Sequence, residues 1–197
     1  MSYSPKSALL APTPPGLAAR AAQAILTRPH GAYTDHDIAA VIVPAYIAQC
    51  AAVGLDAAIV LAQLIHETGN LTSWWSQRPR RNPAGIGVTG RTMAGQPRSL
   101  DWAKRDDGVW AEGVSFESWN GAAIPAHLGR LLAYAVTDDA ANDAQRQLIE
   151  YAMSIRPLPA SYRGVAPTIT GLNGRWAVPG KDYGQRIATV ANRMLAG

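Results

Sequence analysis

Cysteine is almost missing from this chain: Cys50 is the only one in 197 residues. An intrachain disulfide and an all-cysteine metal site are therefore excluded. Cys50 lies in an Ala/Ile-rich helical stretch and reads as a small core residue. Long apolar runs are missing too; none reaches the ~18 residues that suggest a membrane span. Charge is sparse, at 16% against 48% hydrophobic residues, which is a globular and not a disordered composition. No dense basic block exists beyond Arg78-Pro-Arg-Arg81, so nucleic acid is not the expected partner. The net charge of +4 still favours acidic partners, including acidic cell-wall polymer.

Several catalytic signatures are also absent. His66-Glu67 is not a zinc-protease motif, because position 70 is Asn70 where a second histidine is needed. No Gly-x-Ser-x-Gly elbow occurs. Gly85-Ile-Gly-Val-Thr-Gly90 has no P-loop lysine, so nucleotide binding is not expected. Residues 1–15 hold four prolines and no apolar stretch typical of a secretory signal. Composition divides the chain into a flexible Pro-rich leader, 1–16, and a single domain, 17–197.

What is present is helical punctuation around one carboxylate. Helices are expected over about 16–28, 35–53, 57–68, 121–136, 138–155 and 182–195. Thr34 or Asp35 caps the second, and Pro44 either kinks it or opens a fresh first turn. Between Asn70 and Trp119 the helical period stops, and Gly108–Glu117 alternates like short strands. A Pro/Gly loop covers Arg156–Gly180. The expected fold class is α+β and mainly helical, with a small β-hairpin lobe flanking a cleft.

In the third helix Asp56 is a suitable N-cap and Gly69 a suitable C-terminal stop. Val60, Leu64 and Glu67 recur at i, i+4 and i+7, so Glu67 shares the buried face. Burial raises a carboxyl pKa, and a carboxyl still protonated near neutral pH suits a general acid. A structural Glu67 tied by arginine or backbone donors is the other reading. His66 points to another face, and His127, paired at i, i+4 with Leu131, reads as structural. The six tryptophans, Trp74, Trp75, Trp102, Trp110, Trp119 and Trp176, stand against one phenylalanine. Their flat faces suit cores and sugar rings alike.

Four segments in order carry a resemblance. Leu64-Ile-His-Glu-Thr-Gly69, Asn82-Pro-Ala-Gly-Ile-Gly87, Phe116-Glu-Ser-Trp119 and Leu172–Ile187 resemble the glucosaminidase family of peptidoglycan hydrolases. The likeness spans about residues 57–195. It implies a lysozyme-like fold and hydrolysis of β-1,4 links after N-acetylglucosamine. Glu67 maps onto the general acid and Tyr183 onto an active-site tyrosine. The family's second carboxylate comes from the β lobe, where Glu112 is the first choice over Glu117, Asp106 and Asp107. A substrate-assisted route through the N-acetyl group needs no second carboxylate. The glycan strand is expected against Trp74, Trp75, Asn82, Gly85, Trp119 and Trp176. The resemblance implies no metal and no organic cofactor, a monomer, and action at the bacterial cell wall as a secreted or phage-delivered enzyme. Alternatives are a muramidase, a lytic transglycosylase (disfavoured by Thr68 where many carry serine), or a non-catalytic glycan-binding or phage structural module.

Overall fold

The computed structural model describes residues 2–99, 101–177 and 180–196. In chain order come α1 (Leu17–Leu26), a π-helical stretch Asp37–Ile42 leading into α2 (Val43–Val53), and α3 (Ala57–Thr68). Three strands follow: β1 (Thr92–Met93), β2 (Trp102–Lys104) and β3 (Trp110–Glu112). A second π-helical stretch, Trp119–Ala123, opens α4 (Ile124–Ala135), and α5 (Asp143–Ile155) and α6 (Tyr183–Ala196) complete the set. The fold is α+β and mainly helical.

α3 is the centre of this arrangement because Gln63 is the one polar residue in its run from Ala57 to Ile65. Every residue from Ala57 to Ile65 is buried, and a helix apolar all round belongs inside. The Asp56 carboxylate caps it, accepting from the Ala58 N–H at 2.9 Å. Gly69, at φ 57°, ends it in the left-handed region. Asn70 and Leu71 continue left-handed at φ 61° and 66°. For leucine that conformation is strained. Thr68 holds it, accepting from the Leu71 N–H at 2.8 Å while donating to the Leu64 carbonyl at 2.6 Å. The chain is thus turned sharply two residues after Glu67.

Pro44 follows directly on the π-helical Asp37–Ile42, and Ile42 and Val43 keep right-handed helical backbone angles. The helix therefore does not start afresh at Pro44; the widened π turn before it accommodates a residue without an N–H inside a continuous helix. α5 starts at Asp143 and not near 138. The reason is a capping box: Asn142 accepts from the Gln145 N–H, and Gln145 from the Asn142 N–H, each at 3.0 Å.

α4 and α5 approach closely at Gly129. A Cβ there would run into the Leu148 carbonyl oxygen on α5. Alanine improves helix propensity by about 1 kcal/mol, but a backbone clash outweighs it. Gly129→Ala is expected to lower stability by about 2–3 kcal/mol in a urea titration. An unchanged midpoint would show that the two helices separate freely.

The N-terminal segment departs from its expected form as a flexible leader. Residues 2–16 are fastened to the body. Leu9 is buried, donates to the Pro167 carbonyl, and accepts from the Asp56 N–H at 2.9 Å. The Tyr3 hydroxyl donates to Asp56 Oδ2 at 2.7 Å, and its backbone pairs with the Asn192 amide on α6. Prolines made the segment look unstructured, yet a proline-rich strand can still bond through its other residues.

The strands form an antiparallel sheet in the order β1-β3-β2. Thr92 pairs with Ala111, and Trp102 with Glu112. Alternation over Gly108–Glu117 yields only three strand residues, because the chain leaves the ladder at Gly113. A Cβ at Gly113 would come 2.6 Å from the Trp75 ring, so the indole occupies the space a side chain would need.

Candidate functional site

Glu67 occupies the last turn of α3, half-buried at the edge of a cavity of about 660 Å³. His66, Lys181, Asp182, Tyr183 and Arg186 also line it. The structure joins two residues 116 positions apart: the Tyr183 hydroxyl donates to Glu67 Oε1 at 2.6 Å. Tyr183 is itself buried at the start of α6. Gln63, one turn before Glu67, donates its amide N–H to the same hydroxyl at 2.7 Å.

Burial raises the Glu67 pKa above the ordinary carboxyl value, opposed by hydrogen bonding from Tyr183 and Trp176. Burial and the adjacent carboxylate push Tyr183 far up, so it stays a hydroxyl. His66 is lowered by burial and by the Arg186 charge, which favours neutral imidazole. Asp182 is lowered through its bond to Arg186, whose guanidinium lies 2.9 Å away, and stays ionised. The site therefore holds one carboxyl inclined to keep its proton, beside neutral Tyr183 and His66, Lys181 and the Asp182–Arg186 ion pair.

Apart from Trp176, which bonds to Glu67, the other residues expected at the glycan are distributed more widely. Trp74 and Trp75 are half-buried and meet edge to face at 4.8 Å. The Arg80 guanidinium lies over the Trp74 ring at 3.6 Å. Asn82 is buried as a loop organiser: its amide donates to the carbonyls of Ile86 and Val114, and its oxygen accepts from the N–H of Ile86. Gly85 is exposed at φ 62°, the left-handed conformation that glycine tolerates. Trp119 is a core residue, 5% exposed and edge-on to Tyr33. Trp176 is half-buried, with its ring 5.9 Å from His127 and 5.7 Å from Tyr134.

The β-region carboxylates lie outside the lining of the Glu67 cavity. Glu112 accepts from Thr89 and pairs with Arg91 at 3.3 Å. Glu117 is exposed beside buried Phe116, as their alternation requires. Asp107 caps the turn before β3 by accepting from the Val109 N–H, and Asp106 is exposed. Gly85–Gly90 has the glycine spacing of a dinucleotide fingerprint, but no helix follows it, so its context is wrong for that role. Among the described residues, no three His, Cys, Asp or Glu side chains gather as a metal-binding group.

Sequence reasoning overlooked Gln63. It is the one polar residue in the run Ala57–Ile65 and sits at i−4 from Glu67, so its helix face was available as a signal. Lys181, Asp182 and Arg186 gave no such signal, because only the approach of α6 to α3 brings them to the cavity.

Fold and site together define a mainly helical α+β protein with a carboxyl–tyrosine pair at a cavity. No family model matches the chain, and no curated protein does. Among solved structures the chain is similar to the catalytic domain of the autolysin Auto from Listeria monocytogenes. Identity is 16%, over 94% of this chain and 90% of that one, with a TM-score of 0.43.

Proposed function

We propose that the protein hydrolyses β-1,4 glycosidic bonds of peptidoglycan after N-acetylglucosamine, with Glu67 as general acid. The observation that supports this most is the state of the Glu67 carboxyl. It meets a cavity, burial favours its protonated form, and Tyr183 engages Oε1. With Oε1 accepting from Tyr183, the transferable proton is assigned to Oε2. Lys181 and Arg186 give the cavity a cationic rim suited to an acidic wall. Trp74 and Trp75 supply apolar faces for sugar rings.

The test is digestion of purified peptidoglycan with mass analysis of the products. Fragments ending in reducing N-acetylglucosamine support the proposal. Reducing N-acetylmuramic acid ends would make the enzyme a muramidase. Wall binding without cleavage would make it a glycan-binding module.

Glu112 is proposed to activate water. Its replacement by glutamine is expected to lower turnover more than tenfold. A smaller effect, below about 1.4 kcal/mol on the barrier, removes it from the mechanism and leaves the N-acetyl group as the internal nucleophile. One observation favours a second reading. Among the described residues, the cavity is lined by two carboxyls, and Asp182 is held by Arg186 at 2.9 Å, which leaves Glu67 to act alone, as in a single-carboxylate lytic transglycosylase. Its products are anhydro sugars, lighter by one water than hydrolysis products.

A further inference from the structure

The Gln63–Tyr183–Glu67 contacts are the end of a longer chain. His127, fully buried on α4, has Nε2 at 3.1 Å from Gln63 Oε1. Its Nδ1 lies 3.1 Å from the hydroxyl of Tyr46, fully buried on α2. Five side chains from four helices thus run Tyr46–His127–Gln63–Tyr183–Glu67.

The donors and acceptors permit one direction along this line. A carboxylate only accepts, so Tyr183 donates to Glu67 and must accept from Gln63. Gln63 therefore turns its amide nitrogen to Tyr183 and its oxygen to His127. His127 then carries its hydrogen on Nε2, and Nδ1 accepts from Tyr46. An amide in the middle does not pass protons onward, so the line orients groups and is not a proton wire. We infer that His127 and Gln63 are positioning residues: by fixing the direction of this chain they commit the Tyr183 hydrogen to Glu67.

The chemistry is specific. If His127 cannot donate, the Gln63 oxygen loses its partner and the amide is free to turn. Tyr183 then has two acceptors, Gln63 and Glu67, and Glu67 loses part of a bond that favours its ionised form. Glu67 is faced by Tyr183 on α6, by the Trp176 indole and by His66 on its own helix. Lys181, Asp182 and Arg186 stand round the same cavity. Trp176 also lies 5.9 Å from His127, so the shift caused by His127→Leu is read in a Trp176→Phe background as well, where what remains reports the chain itself.

This inference takes its catalytic meaning from the proposed hydrolase, but its test does not use peptidoglycan. Glu67 is titrated by carbon NMR of labelled glutamate carboxyls, with Glu67→Gln supplying the assignment. Tyr183→Phe sets the full effect, a rise of roughly one pH unit for a lost bond to a carboxylate. His127→Leu is expected to raise the midpoint by roughly half that. His127→Gln, whose amide can donate to Gln63 and accept from Tyr46, is expected to restore it. Nitrogen NMR of the unmodified protein is expected to show neutral His127 protonated on Nε2. This last measurement needs no substitution and so survives a variant that fails to fold. A hydrogen on Nδ1, or a folded His127→Leu protein with an unmoved Glu67 midpoint, overturns the inference. If the midpoints move as expected but no variant or parent cleaves glycan, the chain stands and the hydrolase proposal falls.

Discussion

Replacing Glu67 with glutamine is expected to reduce lysis of purified peptidoglycan by a factor of about 10³, within the usual span for a lost general acid. The substitution keeps the shape and the acceptor for Tyr183 but removes the ionisable proton. Its effect on stability has the opposite sign. The folded-state pKa of Glu67 is raised above its ordinary value of 4.5. Its contribution to stability is thus full below that value and lost as pH rises through the folded pKa. At neutral pH the ionised carboxylate is a burden that glutamine does not carry. The variant should melt at an equal or higher temperature near pH 7, and its advantage should shrink toward pH 4. A merely structural glutamate held by its partners would show the reverse, unchanged lysis with a lower melting temperature. Lysis surviving the change would remove Glu67 from the mechanism.

The contrast between Glu67 and Glu112 shows what the chain discloses locally. α3 was legible to the residue, from Asp56 to Gly69, because cap, apolar run and stop all lie within one segment. Glu67 was legible as an awkward carboxylate for the same reason. The resemblance pointed to Tyr183 as an active-site tyrosine but not to its bond with Glu67, since no local rule connects residues 116 positions apart. The N-terminal strap was misread because its fastening partners, Asp56, Pro167 and Asn192, are all distant in sequence. The chain of bonds from Tyr46 to Glu67 is hidden in the sequence for a related reason. Gln63 and His127 each look like an isolated polar residue on an apolar helix, and only the packing of α4 against α3 makes them partners. Asn82 and Trp119 belong to motifs that suggested glycan contact, whereas buried hydrogen bonds and ring packing account for both side chains here.

Acid should unfold this protein largely through His127. Complete burial lowers its pKa from 6.5 to about 3. A depressed folded value means that stability is fully present above the unfolded pKa and is lost as pH falls toward the folded one. Over that interval the unfolded chain takes up a proton that the folded chain refuses, at about 1.4 kcal/mol per pH unit. The accumulated loss is about 4–5 kcal/mol, comparable with the whole stability of many domains. Glu67 and Asp56 oppose it, because burial raises both and each adds stability as pH falls toward the ordinary carboxyl range. Asp37, lowered to about 2 by the Thr34 backbone and Arg78, works with His127, but it sits at the protein surface beside an exposed arginine, where solvent screens it, and its share is small. The decisive comparison is therefore with His127→Gln in urea titrations between pH 6 and pH 4. The unmodified protein should lose stability more steeply, by roughly 1 kcal/mol per pH unit, and the glutamine variant should be the more acid-resistant. Equal slopes would show that His127 is not held neutral. The same protonation has a second consequence. Imidazolium has two N–H donors and no acceptor, so the Tyr46 hydroxyl loses its acceptor at Nδ1 and must turn its oxygen to the new N–H. The Nε2–H still donates to Gln63, so acid costs the fold stability at Nδ1 while the direction of Gln63 and Tyr183 is kept.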